Sequence, residues 1–261
     1  MNHGRPLLLF AAAALLAAAP SPPPPTAARQ ETQDSVPPPA WQQPFVPDAD
    51  TLLLLHADMG SEGQDASPTA SHVGRYIGRV ELCRGRHGQA FNFTDWSSRI
   101  EIPHRPEFSF AGKTAVTIEY WMKMYQLPRF MNSSEILHKE GMFSSAAWLN
   151  NHSRGLHGSV ACGEKRTNVG IWIWFPPEDF DYTEWHHYAF VITAHDGSKP
   201  GIRALYIDGV LRHYEPMWER DFQTSAEVLT IGNGIRSHLH NGTQPFSGAL
   251  DEIRVSTVAR Y

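Results

Sequence analysis

Residues 203–215, RALYIDGVLRHYE, set an Asp208-Gly209 pair between two arms of alternating character, and this is the feature that most restricts the fold. Asp-Gly supplies the two positive-φ residues of a type I′ turn, whose twist matches that of paired strands, so the segment is a β-hairpin. The same period of two recurs upstream. EWHHYAFVIT (184–193) puts His186, Tyr188, Phe190 and Ile192 on one face and His187, Ala189, Val191 and Thr193 on the other. TAVTIEYWMKM (114–124) places Val116, Ile118, Tyr120 and Met122 opposite Thr117, Glu119, Trp121 and Lys123. Further strand signals lie at 51–56, 89–93, 99–102, 135–139, 155–162, 169–175 and 227–232, punctuated by Gly, Pro, Asn and Asp, and no long amphipathic helix competes with them. Many short strands joined by turns predict an all-β chain: a two-sheet antiparallel β-sandwich or jelly roll.

FSGALDEIRVST (246–257) sets two acids side by side inside a strand pattern. Strict alternation sends neighbours to opposite faces, so Asp251 and Glu252 are not expected to act as a pair. Asp251 shares its parity with Ala249, Ile253 and Val255 and is predicted to face inward; Glu252 goes with Arg254 and Ser256 toward solvent. A carboxylate on a core face needs a hydrogen bond, an ion partner or a cation.

Ahead of the strands the chain opens MNHGRPLLLFAAAALLAAAP, a short basic start and an apolar run from Leu7 to Ala19, which reads as a secretory signal. Pro20 follows Ala17-x-Ala19 and disfavours cleavage there, which leaves cleavage after Ala28, or an uncleaved anchor, as the alternatives. Residues 1–28 are therefore read as the signal, 29–47 as a Pro-rich linker of extended polyproline-like character, and 48–261 as one domain. A secreted or extracytoplasmic location follows. The net charge of −5, without a basic block, disfavours nucleic acid and anionic membrane surfaces as partners.

The only two cysteines are Cys83 and Cys162, and in an exported protein the default is one disulfide. Closing a loop of roughly 80 residues is worth about 4 to 5 kcal/mol in the chain-entropy model. Asn-x-Ser/Thr sequons start at Asn92, Asn132, Asn151 and Asn241 and matter only in a glycosylating host.

Several motifs, in order, carry a resemblance: LLLLHAD, GQAFNFTDWSSRIEIP, TAVTIEYWMKM, EILHKEG, WHHYAFVITAHDG with ALYIDGVL, LTIGNG and FSGALDEIRVSTVARY. Together they resemble the laminin-G-like jelly-roll domains of the concanavalin A-like lectin/glucanase superfamily, over essentially everything after the Pro-rich segment. The resemblance implies the sandwich fold and leaves function open, since that architecture hosts lectins, adhesion modules and glycosidases alike. It also implies that strands from the two ends of the domain lie side by side, where some relatives hold a structural calcium ion. The matching acids are Asp58 and Asp251, with backbone carbonyls of DMGSEGQD (58–65) to complete an oxygen shell. The competing reading is that Asp251 accepts backbone N–H bonds or pairs with an arginine.

Chemistry is sparse elsewhere. The Glu-x-Asp-x-x-Glu strand of laminarinase-type hydrolases is absent, as are Gly-x-Ser-x-Gly and His-Glu-x-x-His, so no catalytic residue is assigned. The acids Glu178, Asp179, Asp181 and Glu184 of PPEDFDYTEW read as a solvated loop, and His238 and His240 are too few for zinc. GIWIWF (170–175) is the best ligand lead. If Ile171 and Ile173 line the core, Trp172 and Trp174 form an outward platform about 7 Å long, suited to stacking on sugar rings; the alternative is that a second layer buries them. The expected function is a non-catalytic module that recognises carbohydrate or a glycosylated cell-surface partner. A divergent polysaccharide hydrolase, which needs carboxylates converging in a cleft about 5 to 9 Å apart, and a purely structural adhesion domain are the rivals.

Overall fold

The computed structural model describes residues 38–58, 63–95, 97–126, 133–149, 154–163, 167–175, 181–233 and 243–261. In chain order the strands are β1 (Thr51–Leu55), β2 (Arg75–Ile77), β3 (Val80–Arg84), β4 (Gln89–Phe93), β5 (Arg99–Ile102), β6 (Ala115–Met124), β7 (Ser133–Lys139) and β8 (Phe143–Leu149). They continue as β9 (Arg154–Cys162), β10 (Thr167–Phe175), β11 (His186–Thr193), β12 (Gly201–Ile207), β13 (Val210–Met217), β14 (Leu229–Ile231), β15 (Thr243–Pro245) and β16 (Gly248–Ser256). A single turn of 3₁₀ helix at Ala40–Gln42 precedes them.

The strands form two eight-stranded sheets. The first runs β13-β12-β11-β6-β16-β4-β3 with β1 also paired to β16; the second runs β10-β9-β8-β7-β14-β5-β2, with β15 added in parallel to β7. All other pairings are antiparallel, and the predicted hairpin is there, with Asp208 (φ 51°) and Gly209 (φ 72°) at its tip. Phe91, Tyr120, Tyr188 and Phe190 from the first sheet meet Leu137, Leu156, Val160 and Ile171 from the second in one apolar core. Each large side chain moved from water into that layer contributes about 1.5–3 kcal/mol, and this burial holds the two sheets together. Strands β2, β3, β8 and β15 were not anticipated; they are short, polar or Ser/Ala-rich and lack a strong alternating signature.

Three expectations are corrected. First, the compact unit starts at Pro38 rather than at Asp48. Phe45 is buried, and its backbone N–H donates to the Glu252 carboxylate at 2.5 Å, so the end of the supposed linker is a strap on the outer face of the first sheet.

Second, alternation fails in β16. Its register against β6 pairs Asp251 with Trp121 and Arg254 with Glu119, leaving Glu252 and Ile253 opposite Tyr120 alone. This is a β-bulge with Glu252 at φ 51°, and the extra residue resets the faces. Leu250, Ile253 and Val255 point into the core, whereas Asp251 lies on Trp121's side, away from it. Glu252 is also buried instead of solvated, because the strap lies over that face and Phe45 and His56 take its two carboxylate oxygens.

Third, Cys83 and Cys162 are free thiols. Cys162 sits in the core layer of the second sheet, while Cys83 is on β3 of the first sheet with its sulfur 3.9 Å from the Tyr125 hydroxyl. The residues beside Cys83, Leu82 and Phe91, are the ones that face the core, so the Cys83 side chain points away from its supposed partner. Burial raises both thiols, Cys162 to about 12.

Candidate functional site

The strap builds a site. Trp41 stacks on His187 (centroids 5.8 Å, 23° between planes) and lies 5.9 Å from Trp121; Phe45 meets the same imidazole edge-on at 5.7 Å. Arg254 covers the Phe45 ring at 4.1 Å, and Arg86, from the β3–β4 turn, covers Trp121 at 4.7 Å. Such a cation–π contact contributes about 0.5–1 kcal/mol at the exposed Arg86 and about 2 kcal/mol at the buried Arg254. Gly209 fixes the lateral position of the indole, since a Cβ there would lie 2.2 Å from Trp41 Nε1.

Beneath the strap is a buried charged network. Glu119, fully enclosed, accepts from Arg254 Nε at 2.7 Å and the Tyr261 hydroxyl at 2.8 Å, with His187 Nε2 at 3.3 Å. Burial alone would raise Glu119; His187 and Arg254 hold it below its usual value. Arg260 adds a two-pronged bond to Asp48 at 2.9 and 2.7 Å and donates Nε to Ser256.

Two clefts open beside Trp41. One, of ≈ 410 Å³, is lined by Trp41, Trp121, Trp185, Arg86, Glu184 and the His186–Asp208 pair. The other, of ≈ 330 Å³, is lined by Ala40, Trp41, Arg254, Arg260 and Tyr261. Asp208 is held in place twice, by His186 Nδ1 at 2.7 Å and by the His187 N–H at 2.9 Å. Burial would raise its carboxyl, and these two bonds bring it below the ordinary range. Trp121 Nε1 is buried without a hydrogen-bond partner, which costs about 1–3 kcal/mol. Aromatic faces, fixed carboxylates and a guanidinium around an open cleft match the chemistry of sugar recognition, where ring C–H faces stack and hydroxyls need both donors and acceptors.

Asp58 and Asp251 do converge, at the Gly85–Gln89 turn. Asp58 Oδ1 accepts the Gln89 N–H at 3.0 Å and Asp251 Oδ2 the His87 N–H at 2.9 Å. Gly88 (φ 54°) leaves room for Asp58, whose Oδ1 would lie 1.9 Å from a Cβ at that position. Asp251 Oδ1 and Gln89 Oε1 are buried with no hydrogen-bond partner. Burial, with the Glu252 and Asp58 charges adding to it against the His87 bond, pushes Asp251 up to about 7. Glu252 is engaged elsewhere, by His56 Nδ1 at 2.6 Å. The donors are all oxygen, which suits a hard cation, and among the described residues no group of three or more His, Cys, Asp or Glu side chains is placed to hold a metal ion.

On the opposite sheet β10 sends Ile171 into the core and leaves Trp172 42 % exposed, stacked on His157 of β9 at 3.9 Å and 24°. The Trp174 side chain, Glu178, Asp179, His238 and His240 lie outside the described residues. Within the acidic loop Asp181 Oδ1 accepts the Thr183 N–H and hydroxyl, while Glu184 lines the larger cleft.

The Laminin_G_3 family model, of the concanavalin A-like lectin/glucanases superfamily, matches residues 95–260. The chain belongs to this family. No curated protein sequence matches it significantly. Among solved structures, this laminin-G-like domain is similar to the binding domain of Paraclostridial Mosquitocidal Protein 1, with TM-score 0.60 and 14 % identity over 81 % of this chain and 50 % of that one. The binding domain of botulinum neurotoxin DC, in complex with SialylT, gives 0.60 and 12 % over 82 % and 49 %. Botulinum neurotoxin type C, whose cell entry depends on interaction with two ganglioside molecules, gives 0.59 and 12 % over 81 % and 49 %. The laminin-G-like chain spans about half the length of these structures, and at such identity the likeness is one of fold.

The family match begins at residue 95, so the strap lies outside it. Trp41 and Trp185 carried weak sequence signals: an aromatic pair in WQQPF amid prolines, and an indole just ahead of a strand.

Proposed function

We propose that this laminin-G-like domain is a non-catalytic recognition module for carbohydrate on a glycan or glycosylated cell-surface partner, acting outside the cytoplasm. The observation that carries the reading is the cleft in which Trp41, Trp121 and Trp185 stand around Arg86, Glu184 and the His186–Asp208 pair. Trp41 and Trp185, both only partly buried, supply stacking area, and the buried Trp121 backs them. That neighbours of the same fold bind SialylT and gangliosides supports the reading at the level of scaffold. The Trp172–His157 stack on the other sheet is a second stacking surface for the same class of ligand.

A structural calcium ion at Asp58 and Asp251 belongs to the same proposal. The unpartnered Asp251 and Gln89 oxygens are the support for it, and the ion would satisfy both and offset the buried Asp251 charge. Its role there is cohesion of the β3–β4 turn, from which Arg86 reaches Trp121.

A glycan array probed with the whole chain, with and without calcium, tests both. Binding to defined glycans that Trp185→Ala removes is the expected result. Hydrolysis of any polysaccharide by the purified chain would instead establish the enzymatic alternative.

A further inference from the structure

The recognition reading leaves the ligand's chemistry open, and the walls on either side of Trp41 narrow it. We propose that the two clefts are one groove crossed by Trp41, and that it takes an uncharged, linear oligosaccharide lying across the indole face. The proposal rests on the recognition reading and adds to it the length and charge of the ligand.

Continuity comes first. Trp41 lines both clefts, of ≈ 410 and ≈ 330 Å³. Each alone falls near the small end of the roughly 300–1,000 Å³ typical of ligand pockets, and together they suit several rings. The indole between them is already immobilised: stacked on His187, packed by Trp121 and confined by Gly209. A fixed platform spares the ligand the ordering cost of a mobile side chain. Open space on both sides of it fits a chain passing through better than a single terminal sugar.

Charge comes second. Arg254 is held by Glu119 at 2.7 Å, Arg260 by Asp48 at 2.7 Å, and Asp208 by His186 at 2.7 Å. The remaining charged walls are one of each sign, Arg86 and Glu184. An anionic group that took Arg254 would strand the enclosed Glu119, and uncompensated buried charge is costly, while at Arg86 it would share the cleft with the Glu184 carboxylate. Hydroxyls ask for no such exchange.

The test is a chain-length series. The whole chain is titrated calorimetrically with the di- to hexasaccharides of β-1,4-glucan, β-1,3-glucan and chitin, beside sulfated and uronic-acid oligosaccharides of the same lengths. In at least one neutral series the affinity should rise tenfold or more from disaccharide to tetrasaccharide and then level off. Ala40→Trp, which fills the smaller cleft from an exposed position, should bring the tetrasaccharide down to the disaccharide's affinity. Equal affinity at every length, with binding still lost in Trp185→Ala, overturns the continuous groove and leaves the recognition reading standing. Selective gain with the sulfated or uronic-acid chains overturns the neutral class. No binding in any series overturns the recognition reading itself.

Discussion

Phe45 donates its backbone N–H to the carboxylate of Glu252, at 2.5 Å, across nearly the whole length of the chain. The bond exists because a bulge turns Glu252 to the outer face of the first sheet, and it ties the strap to the last strand. Everything the strap carries, Trp41 above all, inherits its position from that anchor.

Phe45→Ala should therefore destabilise the domain by about 3 kcal/mol, in the range for truncating a buried Phe, with Arg254 and His187 losing their aromatic neighbour. Urea unfolding reads this as a lower midpoint at unchanged slope. A chain starting at Asp48 should unfold earlier still and lose glycan binding.

Trp185→Ala should weaken the bound glycan at least tenfold, about 1.4 kcal/mol, while the melting temperature stays within a few degrees, since Trp185 is only partly buried. The same measurement on Trp172→Ala separates the cleft from the second stacking surface. If Trp172→Ala alone abolishes binding, the site belongs on the other sheet.

Calorimetric titration should show one calcium ion per chain, lost in Asp251→Asn. At a hundredfold excess over Kd the ion adds about 2.7 kcal/mol of stability, which EDTA removes. Identical melting curves with calcium and with EDTA would rule out the site.

His157 gives a pH dependence whose sign follows from its burial, which lowers it from 6.5 to about 4. The unfolded chain takes up a proton near pH 6.5 and the folded chain not until about pH 4, so between those values the unfolded state binds more protons. This contribution is complete above pH 6.5 and declines as the pH falls toward 4, by at most about 1.4 kcal/mol per pH unit. In His157→Gln, stability measured from pH 7 to 4 should fall less steeply than in the native chain.

Both cysteines should titrate as thiols in the unfolded chain without added reductant, and reductant should leave the melting temperature unchanged. One bond between Cys83 and Cys162 in mass spectrometry of a peptide digest would contradict this.

Much of the architecture was legible because it follows period-two patterning. Val116, Ile118, Tyr120 and Met122 are buried together as that pattern requires, and the Asp208-Gly209 turn carries its own geometry. The site was less legible, for two physical reasons. Composition hid the strap, since Trp41 and Phe45 are embedded among prolines that read as extended spacer. The bulge at Glu252 hid the true face of Asp251, because a single inserted residue changes no local propensity and shows only in the register against β6. Asp58 and Asp251 were still brought together as the family resemblance implied, around a turn that neither residue's own segment contains.

Gly209 answers to two masters. The hairpin asks it for a left-handed backbone, while the indole resting beside it asks for an empty flank. Asn, which tolerates the first demand, fails the second. A bulkier tip would thus keep the hairpin folded and evict Trp41, so natural variation at either position ought to be mirrored at the other, a correspondence that the sequences of close homologues can reveal without a single crystal.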